Sequence, residues 1–253
     1  MTAGTRPARA LPEAQQQHWY NARQYRADDP WARFAPARTA LILVDLINWQ
    51  VAPDGPSVQS IRQHSGERAD YLVERCTQVV FPNLVRLVAG AREAGIRVVH
   101  ARLASCHHDF ADIVPALRPY VRAANARDGS PGCAPIPQVG ESPEDLSIPK
   151  TGSGAFAGTN LDFLLRRLGI DTLIHAGVVT NACVMLSVAG GFDLGYRQYL
   201  VTDCTGALCD EDQADAERLI GFYLAQLVTT DETLAALIDT SVAASVTTGH
   251  ATP

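Results

Sequence analysis

The run Ala40-Leu41-Ile42-Leu43-Val44 ending on Asp45 constrains this chain more than any other stretch. A strand with one wet face alternates apolar and polar residues, so an unbroken apolar run describes a strand covered on both faces. Four further segments supply the covering. "VVFPNLVRLVAGAREAGIRVVHARLA" sets Leu84, Leu87, Val88 and Ala91 at helical spacing, stops at Gly95 and resumes as a strand through Val98, Val99 and Ala101. "TNLDFLLRRLGIDTLIHAGVVT" repeats the pattern, with Thr159 or Asn160 as cap, Gly169 as stop and a strand to Val179. It recurs twice more, with a strand ending at Asp203 and Asp210 as the next helix cap. Strands alternating with helices predict an α/β fold of three αβα layers, a mostly parallel doubly wound sheet and right-handed crossovers. In such sheets ligands bind beyond the carboxyl ends of the strands.

The 253 residues suffice for one large core. Residues 1–38 lack a regular period and read as an N-terminal arm carrying Trp19, Tyr20, Trp31 and Phe34. Residues 39–240 form the α/β domain, and 241–253 a flexible tail. Ser105 to Pro149 is rich in Pro and Gly and reads as mostly irregular, as functional loops often are. A net charge of -6 argues against nucleic acid and anionic membranes and favours a small soluble ligand. The six cysteines show no CxxC pair and no zinc spacing. With no signal-peptide core and no apolar run of membrane length, reduced thiols in the cytoplasm are expected.

Three chemical residues fall where strands end. Asp45 follows the first strand, Lys150 closes the irregular segment, and Cys183 follows a later strand in "HAGVVTNACVMLS". Thr180 and Asn181 offer capping side chains there, which places Cys183 in the first turn of a helix, where the dipole lowers a thiol pKa. A nucleophilic cysteine needs a base and a positive neighbour, and Asp45 and Lys150 can serve. On the residues alone a buried structural thiol, a loop-capping Asp45 and a solvated Lys150 remain open readings.

From about Thr39 to Leu237 the chain resembles the isochorismatase-like cysteine hydrolases. That family includes nicotinamidases and the N-carbamoylsarcosine, ureidoacrylate and biuret hydrolases. The resemblance is carried by "ALILVDLIN", "IPKTGSGAFAGTNLDFLLRRLGIDTLIHAGVVTNACV", "FDLGYRQYLVTDCTGA" and "LVTTDETLAAL". It implies that residues 39–240 are an isochorismatase-like domain, with Asp45 as general base, Lys150 as cationic member and Cys183 as nucleophile. It also implies a cis peptide between Val178 and Val179, with the amides of Val179 and Cys183 as oxyanion hole. The implied activity is hydrolysis of a C–N bond in a small carboxamide, ureido or carbamoyl compound through a thioester. No cofactor and no metal are expected, and a homo-oligomer, dimer or tetramer, is.

The sequence departs from the family at the first strand end. Where many members read V-D-x-Q-N-D-F, it reads "VDLINWQ", keeping Asp45 and Asn48 but placing Ile47, Trp49 and Gln50 at the other positions. Asn48, Trp49, Gln50, His107 and Phe156 are therefore the candidate substrate contacts, although for His107 and Phe156 a solvated loop and core packing are the competing readings. The metal-binding Asp-x-His of nicotinamidases is absent after the first strand. Two alternatives stand beside the amidohydrolase: a vinyl ether hydrolase of the isochorismatase branch, whose members generally lack the cysteine, and a non-catalytic binding protein.

Overall fold

Six strands lie side by side in the order β3-β2-β1-β4-β5-β6, every neighbouring pair parallel. The strands are β1 (Thr39–Val44), β2 (Arg97–Leu103), β3 (Leu146–Lys150), β4 (Thr172–Val178), β5 (Arg197–Gly206) and β6 (Gln226–Val228). The structure is a computed structural model that describes residues 35–237. The order runs from β1 out to β3 and resumes at β4 on the other side of β1, so the topological switch lies between β1 and β4.

The all-apolar β1 is central, and each of its six residues is buried. Alternate side chains enter two different cores. Leu41 and Leu43 join Leu72, Leu84, Leu87 and Val201 on one face, while Ala40, Ile42 and Val44 join Leu161, Leu165, Val188 and Ile220 on the other. The first core is covered by α2 (Pro56–His64), α3 (Gly66–Arg75) and α4 (Phe81–Glu93), the second by α6 (Leu161–Arg167), α7 (Met185–Asp193) and α8 (Asp210–Tyr223). Burying the four large aliphatics of β1 is worth about 6–12 kcal/mol. That is of the order needed to carry two charged groups out of water at the strand ends.

A third cluster caps the carboxyl edge near β1 and β2. It is built from Ile47, Trp49, Leu103, Phe110, Ile113 and Val121. Trp49 comes from α1 (Asn48–Val51), directly after β1, and Val121 from α5 (Arg118–Ala123).

Several local expectations change. The irregular segment gives way before Lys150: Leu146–Lys150 is edge strand β3, where Pro149 is tolerated because an edge strand has one unpaired side. Strand β5 continues past Asp203 to Gly206. Cys209 caps α8, accepting from the Asp212 amide, and Asp210 is the first helical residue. Cys209 is thus half-exposed, whereas Cys204 is buried. Asn160 makes no capping bond ahead of α6, and the neighbouring Thr159 hydroxyl accepts from Leu161 instead. Gly190 and Gly191 lie inside α7 against the Phe156 ring. Residues 35–38, assigned to the arm, form a short turn tied to the sheet: Asp171 donates its amide to the Arg38 carbonyl, and the two side chains pair. Trp19, Tyr20, Trp31, Phe34 and the tail at 241–253 lie outside the described residues. No described helix is long and apolar enough to cross a membrane.

Candidate active site

Strand register brings the three chemical side chains to one place. Leu103 pairs with Lys150, and Val44 pairs with both Ala101 and Gly177, so the ends of β1, β2, β3 and β4 stand level. Only glycine fits at 177. Its φ is +131°, and a Cβ there would lie 2.1 Å from the Val44 carbonyl oxygen. The close approach sets β4 against β1 immediately before Asp45 and two residues before Val179.

Asp45 is fully buried and takes a left-handed backbone, φ 54°, uncommon for a non-glycine residue and concentrated at functional sites. The chain is held there by the Asp45 amide donating to Ala101 at 2.9 Å. Oδ1 of its carboxylate accepts from the Leu103 amide at 2.6 Å, and Oδ2 lies 2.8 Å from Lys150 Nζ. The Lys150 ammonium is also fully buried and donates to the Gly152 carbonyl at 3.2 Å. Oδ2 carries no aligned hydrogen bond, which leaves a lone pair for another proton.

The Cys183 thiol is within reach of both charges. Burial first and the Asp45 carboxylate second push its pKa up to about 12, against the opposing pull of Lys150. The low thiol pKa expected from the helix start is therefore overturned. A helix terminus is worth about 0.3–1 kcal/mol, while a rise from 9.0 to about 12 corresponds to about 4 kcal/mol. Burial pulls the Lys150 pKa down, but Asp45 and Cys183 together outweigh it and the net direction is up. The resting arrangement is a neutral thiol beside a protonated lysine.

Cys183 sits in the first turn after β4, but that turn is not side-chain capped. Residues Thr180–Val184 form a π turn that runs into α7, with the Val179 carbonyl accepting from Ala182 and Val184. Thr180 instead donates its hydroxyl to Gln213 of α8 at 2.7 Å. The Ser187 hydroxyl donates to the Cys183 carbonyl at 2.6 Å and accepts from the Ala155 amide at 3.0 Å, joining the cysteine turn to the loop after Lys150. The Val178–Val179 peptide is cis.

The candidate substrate contacts divide. Asn48 is tied back by its side chain to the Pro131 carbonyl at 3.1 Å. Trp49 is buried, and its indole N–H donates to the Leu103 carbonyl at 3.1 Å, so it braces the strand end that holds Asp45. Phe156 belongs to the core, packed on Tyr196 with centroids 5.8 Å apart. His107 is exposed and paired with Asp109 at 2.7 Å. Together with His108 these form a surface group whose possible ligand atoms lie within 4.8 Å of one another, the one cluster among the described residues able to hold a metal ion. Gln50 is buried, with its Oε1 accepting from the Tyr120 hydroxyl at 3.4 Å. Tyr120 itself had no signal in the sequence. It comes from the loop-rich segment, packs at a tilt against Trp49 with ring centroids 5.1 Å apart and is pushed up to about 12 by burial, with Asp45 and Cys183 adding to the rise.

The chain's relatives share this frame. An uncharacterized isochorismatase family protein of Bacillus subtilis (strain 168), YwoC, is 33% identical over 168 residues, 64% of this chain and 85% of that one. The ureidoacrylate amidohydrolase RutB of Enterobacter sp. (strain 638) is 29% identical, covering 68% of this chain and 76% of its own. Among solved structures, a cysteine hydrolase from Pseudomonas syringae pv. phaseolicola 1448A shares the fold with a TM-score of 0.69 at 22% identity, over 81% of this chain and 94% of that one. An N-carbamoylsarcosine amidase from Thermoplasma acidophilum superposes with a TM-score of 0.58 at 25% identity, over 77% and 97%. The Isochorismatase domain matches residues 39–232. That span begins at the first residue of β1 and passes the end of β6, so the whole sheet and every segment framing its carboxyl edge lie inside it: the chain belongs to the isochorismatase family of hydrolases.

Proposed function

We propose that the chain is a cysteine-dependent amidohydrolase acting on a small carboxamide, ureido or carbamoyl compound. One observation carries the reading. The Cys183 thiol lies against a buried Asp45–Lys150 pair at the topological switch of the sheet. A buried anion and cation beside a thiol cost folding energy that an inert structural cysteine does not require. The relatives named for ureidoacrylate and N-carbamoylsarcosine support the same class of reaction.

Because the thiol rests protonated, its proton moves as it attacks. Asp45 takes the proton through its free Oδ2 lone pair, and the sulfur bonds to the carbonyl carbon. The oxygen becomes an oxyanion, received by the amides of Val179 and Cys183 and by the Lys150 charge. Collapse breaks the C–N bond, and Asp45 returns the proton to the departing nitrogen. Water then gives a proton to Asp45 and attacks the thioester; the C–S bond breaks, and sulfur recovers its proton. All six cysteines are unpaired, which supports a reducing cytoplasmic setting. Exposed apolar side chains on α6, α7 and α8, Phe163, Leu186 and Phe222 among them, are consistent with a homo-oligomer.

The test is an ammonia-release screen over small amides, ureido acids and carbamoyl amino acids. Cys183→Ala should fall to the blank with an unchanged fold. Hydrolysis that survives the substitution ends the proposal.

A further inference from the structure

A polar cleft opens at the β2–β3 edge of the sheet, away from Cys183. It holds about 410 Å³, within the range of small-molecule sites, and is lined by His100, Glu141, Ser142, Pro143, Asp145 and Ser147. His100 and Ser147 pair across β2 and β3, three positions before Leu103 and Lys150. They therefore lie about 10 Å back along the strands, and because side chains alternate, Ser147 and Lys150 point to opposite faces of the sheet.

Two groups in the cleft wall are almost wholly buried: His100 is 2% exposed and the Asp145 side chain 6%. The hydrogen bonds to the Asp145 carboxylate all fall on one oxygen. Oδ2 accepts from Arg92 at 2.6 Å, from His100 Nε2 at 3.0 Å and from the Ser142 amide at 3.0 Å, while Oδ1 accepts none among the described residues. Half of the carboxylate's acceptor capacity is thus unused. Burial pushes the Asp145 pKa up, but Arg92 and His100 outweigh it and the net direction is down, so the group is charged. Burial lowers the His100 pKa, so the ring is neutral, and with Nε2 donating to Asp145 its Nδ1 keeps a lone pair. Glu141 adds a second carboxylate at the exposed rim.

The neighbouring cations are already committed. Arg92 donates to the Val139 and Gly140 carbonyls and to Asp145, with its Nε buried, and Arg97, in a smaller adjoining cleft, donates to the Glu144 carbonyl. An anion would meet two carboxylates here. A metal ion needs its ligand atoms gathered, and among the described residues only His107, His108 and Asp109 gather three. An ammonium group supplies both the missing N–H donors and the opposite charge. We propose that this cleft is a binding site for a small organic ammonium ion, with Asp145 Oδ1 as its principal acceptor and Glu141 as the charge at its rim. The site stands apart from Cys183 and does not rest on the amidohydrolase reading.

Calorimetry with propylammonium, 1-propanol and propionate, three probes of similar size, tests the proposal on the wild-type and Cys183→Ala proteins. Propylammonium should bind both proteins equally, with about millimolar affinity, the scale open to so small a ligand. The alcohol and the carboxylate should bind about tenfold more weakly or not at all. The His100 imidazole resonances should shift as propylammonium is added. Asp145→Asn should weaken propylammonium about tenfold, and Glu141→Gln, at the exposed rim, about threefold. The second variant keeps the test standing if the first loosens the loop that Arg92 and His100 hold, which circular dichroism and thermal unfolding would reveal. No saturable binding of propylammonium, equal binding of either other probe, unmoved His100 resonances, or an affinity unchanged by Glu141→Gln would each overturn the proposal. Binding lost in Cys183→Ala would put the ammonium at the active site and overturn it as well.

Discussion

Lys150 Nζ lies 2.8 Å from Asp45 Oδ2, and both side chains are sealed from solvent at the level where β1 and β3 end. Strand β2 lies between the two strands, so the pair bridges it. Removing one partner leaves the other charge buried alone. Lys150→Met should therefore lower stability by about 3–5 kcal/mol and abolish hydrolysis. The double variant Asp45→Asn/Lys150→Met should recover much of that stability in urea unfolding without recovering activity. A double variant no more stable than the single one would mean that the pair is not what costs the single variant its stability.

The raised thiol pKa makes a second prediction. Wild-type Cys183 should react with iodoacetamide no faster than glutathione near neutral pH, because the thiolate fraction is small. Asp45 raises that pKa and Lys150 lowers it. Asp45→Asn should thus speed alkylation of Cys183 while stopping hydrolysis, an opposite movement that simple disruption would not produce. Mass spectrometry of the labelled peptide over pH 6–10 reads the rate and its rise with pH.

Gly177 positions the cysteine strand against the aspartate strand. An added Cβ would meet backbone, the Val44 carbonyl oxygen and its neighbours, which cannot turn aside as a side chain can. The residue's positive φ adds strain for any other residue. Gly177→Ala should cost about 3 kcal/mol or more and lower the melting temperature by about 6–12 degrees or more. Thermal unfolding followed by circular dichroism checks it; Gly95→Ala, where a Cβ meets no atom within 4 Å, is the control for positive φ alone.

The sheet was legible because burial leaves a one-dimensional trace. The apolar run of β1 and the 3.6-residue spacing of Leu84, Leu87, Val88 and Ala91 state the two-faced core directly. Lys150 could be placed at an edge but not on a strand, since Pro149 and the turn-rich residues before it mask the period of β3. The segment after Val51 held α2 and α3, helices of mostly polar residues whose few apolar side chains, such as Val58 and Leu72, give little periodic contrast. Cys183 illustrates a harder limit. Its helix-start position was readable, but the sign of its pKa shift depends on burial and on Asp45, 138 residues earlier in the chain, both of which exist only after folding. Tyr120 was invisible for the same reason: only the meeting of α1 and α5 brings it to Gln50.

His175 should make the fold sensitive to mild acid. The ring is fully buried on β4, its Nε2 lies 2.9 Å from Gln198 Oε1, and its Nδ1 has no partner among the described residues. Nε2 therefore carries the proton donated to Gln198, and a second proton on Nδ1 would be buried without an acceptor. Burial accordingly lowers the pKa from 6.5 to about 4. The folded chain keeps His175 neutral where the unfolded chain begins to bind a proton. Its contribution is fully present above pH 6.5 and is lost as the pH falls towards 4, a total of about 3 kcal/mol. His100, also lowered by burial against an opposing bond from Asp145, moves stability in the same direction. Urea unfolding at half-unit steps between pH 7 and 4 should show the decline, and His175→Asn should flatten it even if that variant starts from lower stability. An imidazole resonance of His175 that titrates near 6.5 in the folded protein would remove this source of acid sensitivity.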